Sequence, residues 1–314
     1  MLTYVPKRRR VDLTGVRNGA VISAAAVDAA ALIGLFVRAK LAAIQVKLAD
    51  SNLADAKAAM VEKAEKAARD CTAIIHLVNV LQESNGADDV YIDAANAMQS
   101  LALDSDNQVT IAKAGAIVHL VGRLGGEWID RVKESAVCAL RNLACNAENE
   151  VEIVRAGAIP PLVALLHVVG TSSIKEAAAG ALQNLSVNAE NTVIIGRAGA
   201  IPALLGLLTS DEIDSVQEAA VWALLNLACN SDNRELIAID GGIPRLVALL
   251  HVDIRNQINE VAAGALGNLA ASAANRIAIV QAGAVAPLLH LVQVNGQQSF
   301  ASMALQNLVI DYEF

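Results

Sequence analysis

Small and aliphatic residues recur along most of this chain at helical spacing, and the spacing itself repeats. Within 217–228, Ala220, Ala223, Leu224 and Leu227 fall on one face at steps of three and four, the mark of an amphipathic helix. Ala136, Ala139, Leu140 and Leu143 form the same face earlier in the chain, and Ala178, Ala181, Leu182 and Leu185 form it again between the two. The residues that break helices keep the same step. Gly115, Gly157, Gly199, Gly241 and Gly283 are 42 residues apart each time, as are Asn107, Asn149, Asn191, Asn233 and Asn275. Downstream of each glycine comes a further asparagine in Asn-Leu. Asn142, Asn184, Asn226 and Asn268 keep the 42-residue step, and Asn307 follows after 39, so the last copy is three residues shorter.

One copy reads as three helices. The first covers 149–155 and is broken by Gly157, which supplies a backbone freedom other residues lack. Pro160 opens the second, over 161–167, at a position where a missing N–H costs nothing. The third runs over 173–185. Ser173-x-x-Glu176 and Ser215-x-x-Glu218 predict capping boxes at the start of third helices. A single unit of this kind cannot bury its apolar faces. Stacked units bury them continuously, and the alanines let neighbouring helices approach closely. The expected fold is therefore an all-α solenoid of three-helix repeats.

The copies divide the chain into 106–147, 148–189, 190–231, 232–273 and 274–314. A weaker copy precedes them at 64–105, where Ala73-Ile74-Ile75-His76-Leu77-Val78 echoes Ala116-Ile117-Val118-His119-Leu120-Val121. Residues 1–63 do not show the period. They read as a basic tail and a helical cap, with Ala, Lys and Glu abundant over 40–70. The apolar run Ala20–Val37 is short and broken by Asp28, so it reads as a helix against the first repeat and not as a membrane span.

The strings Ala-Gly-Ala-Ile-Pro-Pro-Leu-Val-Ala-Leu-Leu at 156–166 and Gln-Glu-Ala-Ala-Val-Trp-Ala-Leu-Leu-Asn-Leu-Ala at 217–228 resemble the armadillo repeat. That family includes β-catenin, importin-α, vacuolar adaptors and the repeat regions of plant U-box ubiquitin ligases. The resemblance covers about residues 106–314. It implies a right-handed superhelix whose third helices line a concave groove.

The third helix also carries a polar stripe opposite its core face. Glu218, Trp222 and Asn226 are spaced i, i+4 and i+8. The other copies read Glu134/Cys138/Asn142, Glu176/Gly180/Asn184, Glu260/Gly264/Asn268 and Ser299/Met303/Asn307. Stacking predicts a ladder of asparagines with glutamates beside it. An amide has both donor and acceptor groups, so a row of them can bond the backbone of an extended peptide. A row of glutamates favours lysine or arginine on that peptide. Two structural roles compete with this reading: glutamates near a helix N-terminus are favoured electrostatically, and the asparagines can bond the neighbouring repeat. The resemblance implies a similar role for groove asparagines, and in importin-α a tryptophan one turn earlier packs on basic side chains. Here only Trp222 fits that pattern.

Composition narrows the function further. The chain has 314 residues, 55% of them apolar but only 3% aromatic, as suits closely packed helices. A net charge of −8 argues against nucleic acid or anionic membrane surfaces as partners and permits basic protein segments. Cys71, Cys138, Cys145 and Cys229 show no C-x-x-C or metal spacing; they are expected to be reduced and mostly buried, in an intracellular protein. Lys7, Arg8, Arg9 and Arg10 resemble a short nuclear-localisation signal, which would add the nucleus to the cytoplasm. The same cluster could instead be a plain tail, or dock in cis on the glutamates. His76, His119, His167, His251 and His290 follow the repeat and read as helix-end residues. No phosphate loop, zinc-protease or nucleophile-elbow motif occurs, so no enzyme activity, cofactor or metal is expected. The expected function is a protein-interaction scaffold or adaptor. The alternatives are an importin-α-like transport receptor and the substrate-recruiting part of a ubiquitin ligase.

Overall fold

The computed structural model describes residues 54–83, 88–168, 171–209, 212–251 and 257–309. The basic run at 7–10 and the apolar run at 20–37 lie outside them. The described residues form seventeen α-helices and no strand. The first two are α1 (Ala54–Glu83) and α2 (Asp88–Leu101). Five triplets follow: α3 (Ser105–Lys113), α4 (Ala116–Val121) and α5 (Asp130–Leu143); α6 (Ala147–Arg155), α7 (Ile159–Leu165) and α8 (Ser172–Leu185); α9 (Ala189–Arg197), α10 (Ala200–Gly206) and α11 (Asp214–Leu227); α12 (Ser231–Ile239), α13 (Gly242–Leu249) and α14 (Gln257–Leu269); α15 (Ala273–Gln281), α16 (Val285–Asn295) and α17 (Phe300–Val309).

The third helices carry the architecture. In the order α2, α5, α8, α11, α14 and α17, each packs most extensively on the next. Each second helix packs on the third helix of its own repeat. The twelve alanine and leucine positions read as the apolar face, from Ala136 to Leu227, are all at most 1% exposed. The core is one continuous cluster from Ile74 to Leu308. Among the described residues no single helix is long and apolar enough to cross a membrane.

The repeated glycine does what the sequence predicts. Gly157 has φ +84°, and its four counterparts have φ between +76° and +85°, a region that costs other residues a steric penalty. In the weaker copy, with Ala73–Val78 matching Ala116–Val121, the equivalent position is Thr72, and there is no break: α1 runs through it as one helix of 30 residues. A β-branched threonine cannot take the left-handed turn cheaply, so the two helices that other repeats separate are continuous here.

Helix capping departs from expectation. The third helices do not use the Ser-x-x-Glu motif. The residues that precede α8 and α11, Thr171 and Ile213, make no side-chain cap, and the Ser215 hydroxyl donates to Glu176 of the previous repeat at 2.8 Å. Asparagine caps stand at first helices instead. Asn146 Oδ1 accepts from the N–H groups of Glu148 and Asn149, Asn188 Oδ1 from those of Glu190 and Asn191, and Asn230 Oδ1 from that of Asn233. This is the ordinary asparagine N-cap, placed at the start of three of the five repeats; Asp104 caps α3 in the same way, and Ser272 before α15 makes no side-chain cap.

Candidate functional site

The stripe read from the sequence lies along the row of third helices. Asn142, Asn184, Asn226, Asn268 and Asn307 are all half-buried, and all make the same bond. Each amide nitrogen donates to a main-chain carbonyl of the preceding third helix: Asn142 to Gln99 at 2.9 Å, Asn184 to Arg141 at 2.9 Å, Asn226 to Gln183 at 3.1 Å, Asn268 to Leu225 at 3.0 Å and Asn307 to Gly267 at 2.9 Å. The asparagine ladder is thus a structural tie between repeats. One amide hydrogen of each is used by the tie. The Oδ1 atoms make no hydrogen bond to the described residues. The chemistry left over is one acceptor at each rung and a second amide hydrogen, which at Asn184 and Asn268 makes only a weak bond to the Sγ of Cys145 and Cys229; an acceptor and a donor are what an extended backbone pairs with. A second asparagine row, including Asn149 and Asn233, is buried and bonds carbonyls of the preceding repeat.

The glutamates are not an even row of free charge. Glu176 accepts from Ser215 and pairs with Arg141 at 3.5 Å. Glu260 accepts from Asn295 Nδ2 at 2.7 Å and from the Phe300 N–H at 2.9 Å, so it caps the next repeat's third helix. Glu134 and Glu218, half-buried, make no hydrogen bond or ion pair with the described residues. Free carboxylates therefore remain at alternate rungs.

The position between glutamate and asparagine is occupied in every repeat, even where it is glycine. A methyl group on Gly180 would come within 2.7 Å of Arg141 Cδ, and one on Gly264 within 2.8 Å of Leu225 Cδ1 and 3.2 Å of Phe300 Cγ. The side chain that precedes each ladder asparagine thus drops into the slot of the following repeat when that slot has no side chain of its own. Trp222, half-buried, meets Phe300 edge to face with ring centroids 6.3 Å apart. Gly264, Phe300, Met303, Leu225, Asn268 and Asn307 line a shallow depression of about 70 Å³ over α11, α14 and α17. Phe300 carries part of this wall and was not legible as a site residue, because it lies at the start of the third helix of the shortened repeat and outside the i, i+4, i+8 stripe.

The cysteines differ from expectation. Only Cys71 is buried; Cys138 is half-buried, and Cys145 and Cys229 are exposed. Cys145 and Cys229 follow the third helices at the end of Asn-Leu-Ala-Cys, beside Asn184 Nδ2 at 3.4 Å and Asn268 Nδ2 at 3.5 Å. They share their repeat position with Leu103, Val187 and Ala271, all exposed, so an apolar rim flanks the ladder. Cys138 stands in the stripe itself, between Glu134 and Asn142. Burial pushes its thiol up, Arg141 opposes this, and Glu134 and Glu176 add to it. Of the histidines, His167 and His251 follow α7 and α13 as helix-end residues, whereas His76 lies well inside α1 and His290 inside α16. Burial and the nearby Arg123 push His119 down.

The model of the armadillo/beta-catenin-like repeat matches residues 146–187, 188–229 and 230–271, three units that begin at the capping asparagines. Several solved structures are similar. An engineered protein from a structural genomics consortium is 31% identical with a TM-score of 0.69, covering 75% of this chain and 96% of its own. A computationally designed armadillo repeat protein for modular peptide recognition is 28% identical, with a TM-score of 0.67 and coverage of 74% and 99%. A designed armadillo repeat protein in complex with the peptide (KR)4 is 27% identical, with a TM-score of 0.66 and coverage of 74% and 98%. A search of curated proteins returns no match.

Proposed function

We propose that this chain, which belongs to the armadillo repeat family, is a non-catalytic scaffold that holds an extended segment of a partner protein along its third helices and favours basic segments. The fold is one that typically binds proteins or peptides. The observation that carries the finer reading is the asparagine ladder. Five half-buried amides stand in one register, each held by a bond to the preceding helix and each with an unpaired Oδ1. A rung fixed in this way loses little freedom when it bonds a peptide, which favours affinity. Unpaired Glu134 and Glu218 supply the preference for lysine and arginine, and Trp222 supplies a flat apolar wall for their stems. The similar designed protein with a bound (KR)4 peptide makes that peptide the natural probe.

The test is a titration of the Asn184→Ala/Asn226→Ala variant with (Lys-Arg)4. Each substitution also removes one inter-repeat bond, a stability cost of about 0.5–1.5 kcal/mol, so the titration is run well below the variant's melting midpoint. The reading expects affinity at least tenfold weaker in the folded variant. Equal affinity in wild type and variant refutes it.

A further inference from the structure

The repeats share one frame, yet the residue before each ladder asparagine varies: Arg141, Gln183, Leu225, Gly267 and Gln306, with Gln99 before Ser100 at the same place in the weaker copy. Arg141 is the only cation in the series. Its main chain accepts the Asn184 rung at 2.9 Å. Its stem crosses Gly180, with Cδ 2.7 Å from where a Cβ there would be. Its Nη1 lies 3.5 Å from Glu176 Oε1, and both side chains are about one-third exposed (33% and 36%). An aliphatic stem laid over the groove floor, ending in a guanidinium on a groove carboxylate, is the arrangement a partner's own arginine would adopt. The nearest counterpart two repeats on has the same shape without the charge: Leu225 lies over Gly264, and Glu260 is satisfied by Asn295 and Phe300.

We infer that Arg141 is a specificity-determining residue that occupies, in cis, the basic side-chain site formed by Gly180 and Glu176. A partner's cation is thereby denied that site, and basic partners are read through Glu218 and Trp222. At the Gly180–Glu176 rung of α8 the segment is selected against positive charge, since it would meet a fixed guanidinium beside a carboxylate already neutralised by it, while the unpaired Glu134 on α5 still favours a cation. Like-charge apposition of this kind sets register and partner choice more than total affinity. The inference rests on the proposed reading of the groove as a peptide site.

The experiment compares wild type, Arg141→Gln, Glu218→Gln and Arg141→Gln/Glu176→Gln in titrations with (Lys-Arg)4 at low and moderate salt. Glutamine is the residue that three other repeats carry at this position, so Arg141→Gln keeps a side chain to lie over Gly180. The expected result is binding about three- to fivefold tighter in Arg141→Gln, the scale of one partly exposed ion pair. The gain should shrink as salt rises and vanish in the double variant. Unchanged or weaker binding by Arg141→Gln, with wild type binding and Glu218→Gln weakened, overturns the inference and leaves the peptide-site reading standing. A gain that survives in the double variant also overturns it, because Glu176 would not be the site released. Absence of binding by wild type and Arg141→Gln alike removes both.

Discussion

The two halves of the groove are built on the same frame and end with different chemistry. Over α5 and α8, the slot at Gly180 is filled by Arg141, and the carboxylate beside it is paired. Over α11, α14 and α17, the slot at Gly264 is filled by Leu225 and Phe300, and Trp222 closes the wall. In both halves a glycine leaves space that the previous repeat fills, joined at Gly264 by Phe300 of the following repeat. What fills it is set by a residue about 39 positions earlier in the sequence, and one half becomes ionic while the other becomes aromatic and apolar. A solenoid can therefore keep its core constant and change its groove one rung at a time.

The constancy of the core gives the largest expected effect. Leu140→Ala and Leu224→Ala remove equivalent, fully buried side chains in the two halves. Each should cost about 2–5 kcal/mol by loss of transfer energy and creation of a cavity, measured by denaturant unfolding. Similar costs support a common frame; a large cost in one half and a negligible one in the other would break it. Next in size is Trp222→Ala. A central aromatic wall typically contributes about 2 kcal/mol or more to binding, so (Lys-Arg)4 affinity should fall roughly thirtyfold, with little change in far-ultraviolet circular dichroism. An unchanged affinity would place the peptide away from the aromatic half.

Converting one half into the other should have a smaller effect. Leu225→Arg places a guanidinium at the position equivalent to Arg141. It should weaken (Lys-Arg)4 binding about three- to fivefold, the scale of one exposed charge contact, and should strengthen it for a peptide with a glutamate at that rung. The reverse pattern in calorimetry would show that the slot filler does not set charge preference. The smallest effect concerns Cys138. A bound peptide should slow its alkylation while Cys145, on the rim, continues to react, as followed by mass spectrometry. Equal protection of both thiols would indicate a footprint wider than the ladder.

The frame was readable because its signals are local. The alanine and leucine faces, the left-handed glycines and the third helices follow from spacings of three, four and 42 residues, and each proved to be buried or turned as those spacings require. The groove chemistry was less legible because its contacts join residues 35–43 apart. Ser215 has the local form of a capping residue, yet it donates to Glu176 one repeat back. Glu260 reads as a groove charge, yet it caps α17 in the following repeat. Gly180 and Gly264 read as vacant, yet their neighbours cover them. A pattern of residue types at one position cannot say whether the next repeat uses a side chain or leaves it to a partner. The cysteines were misplaced for a related reason: Cys145 and Cys229 follow a buried helix face closely in sequence, but at the end of the helix no later element covers them.

The central claim, that the groove takes an extended basic segment beside Trp222, is tested most directly by fluorescence in a Trp128→Phe background, where Trp222 is the one remaining tryptophan. Titration with (Lys-Arg)4 should change its emission saturably at one peptide per chain, with affinity that falls as salt rises, while (Asp-Glu)4 should produce no saturable change. A response to both peptides alike, or to neither, would contradict the account.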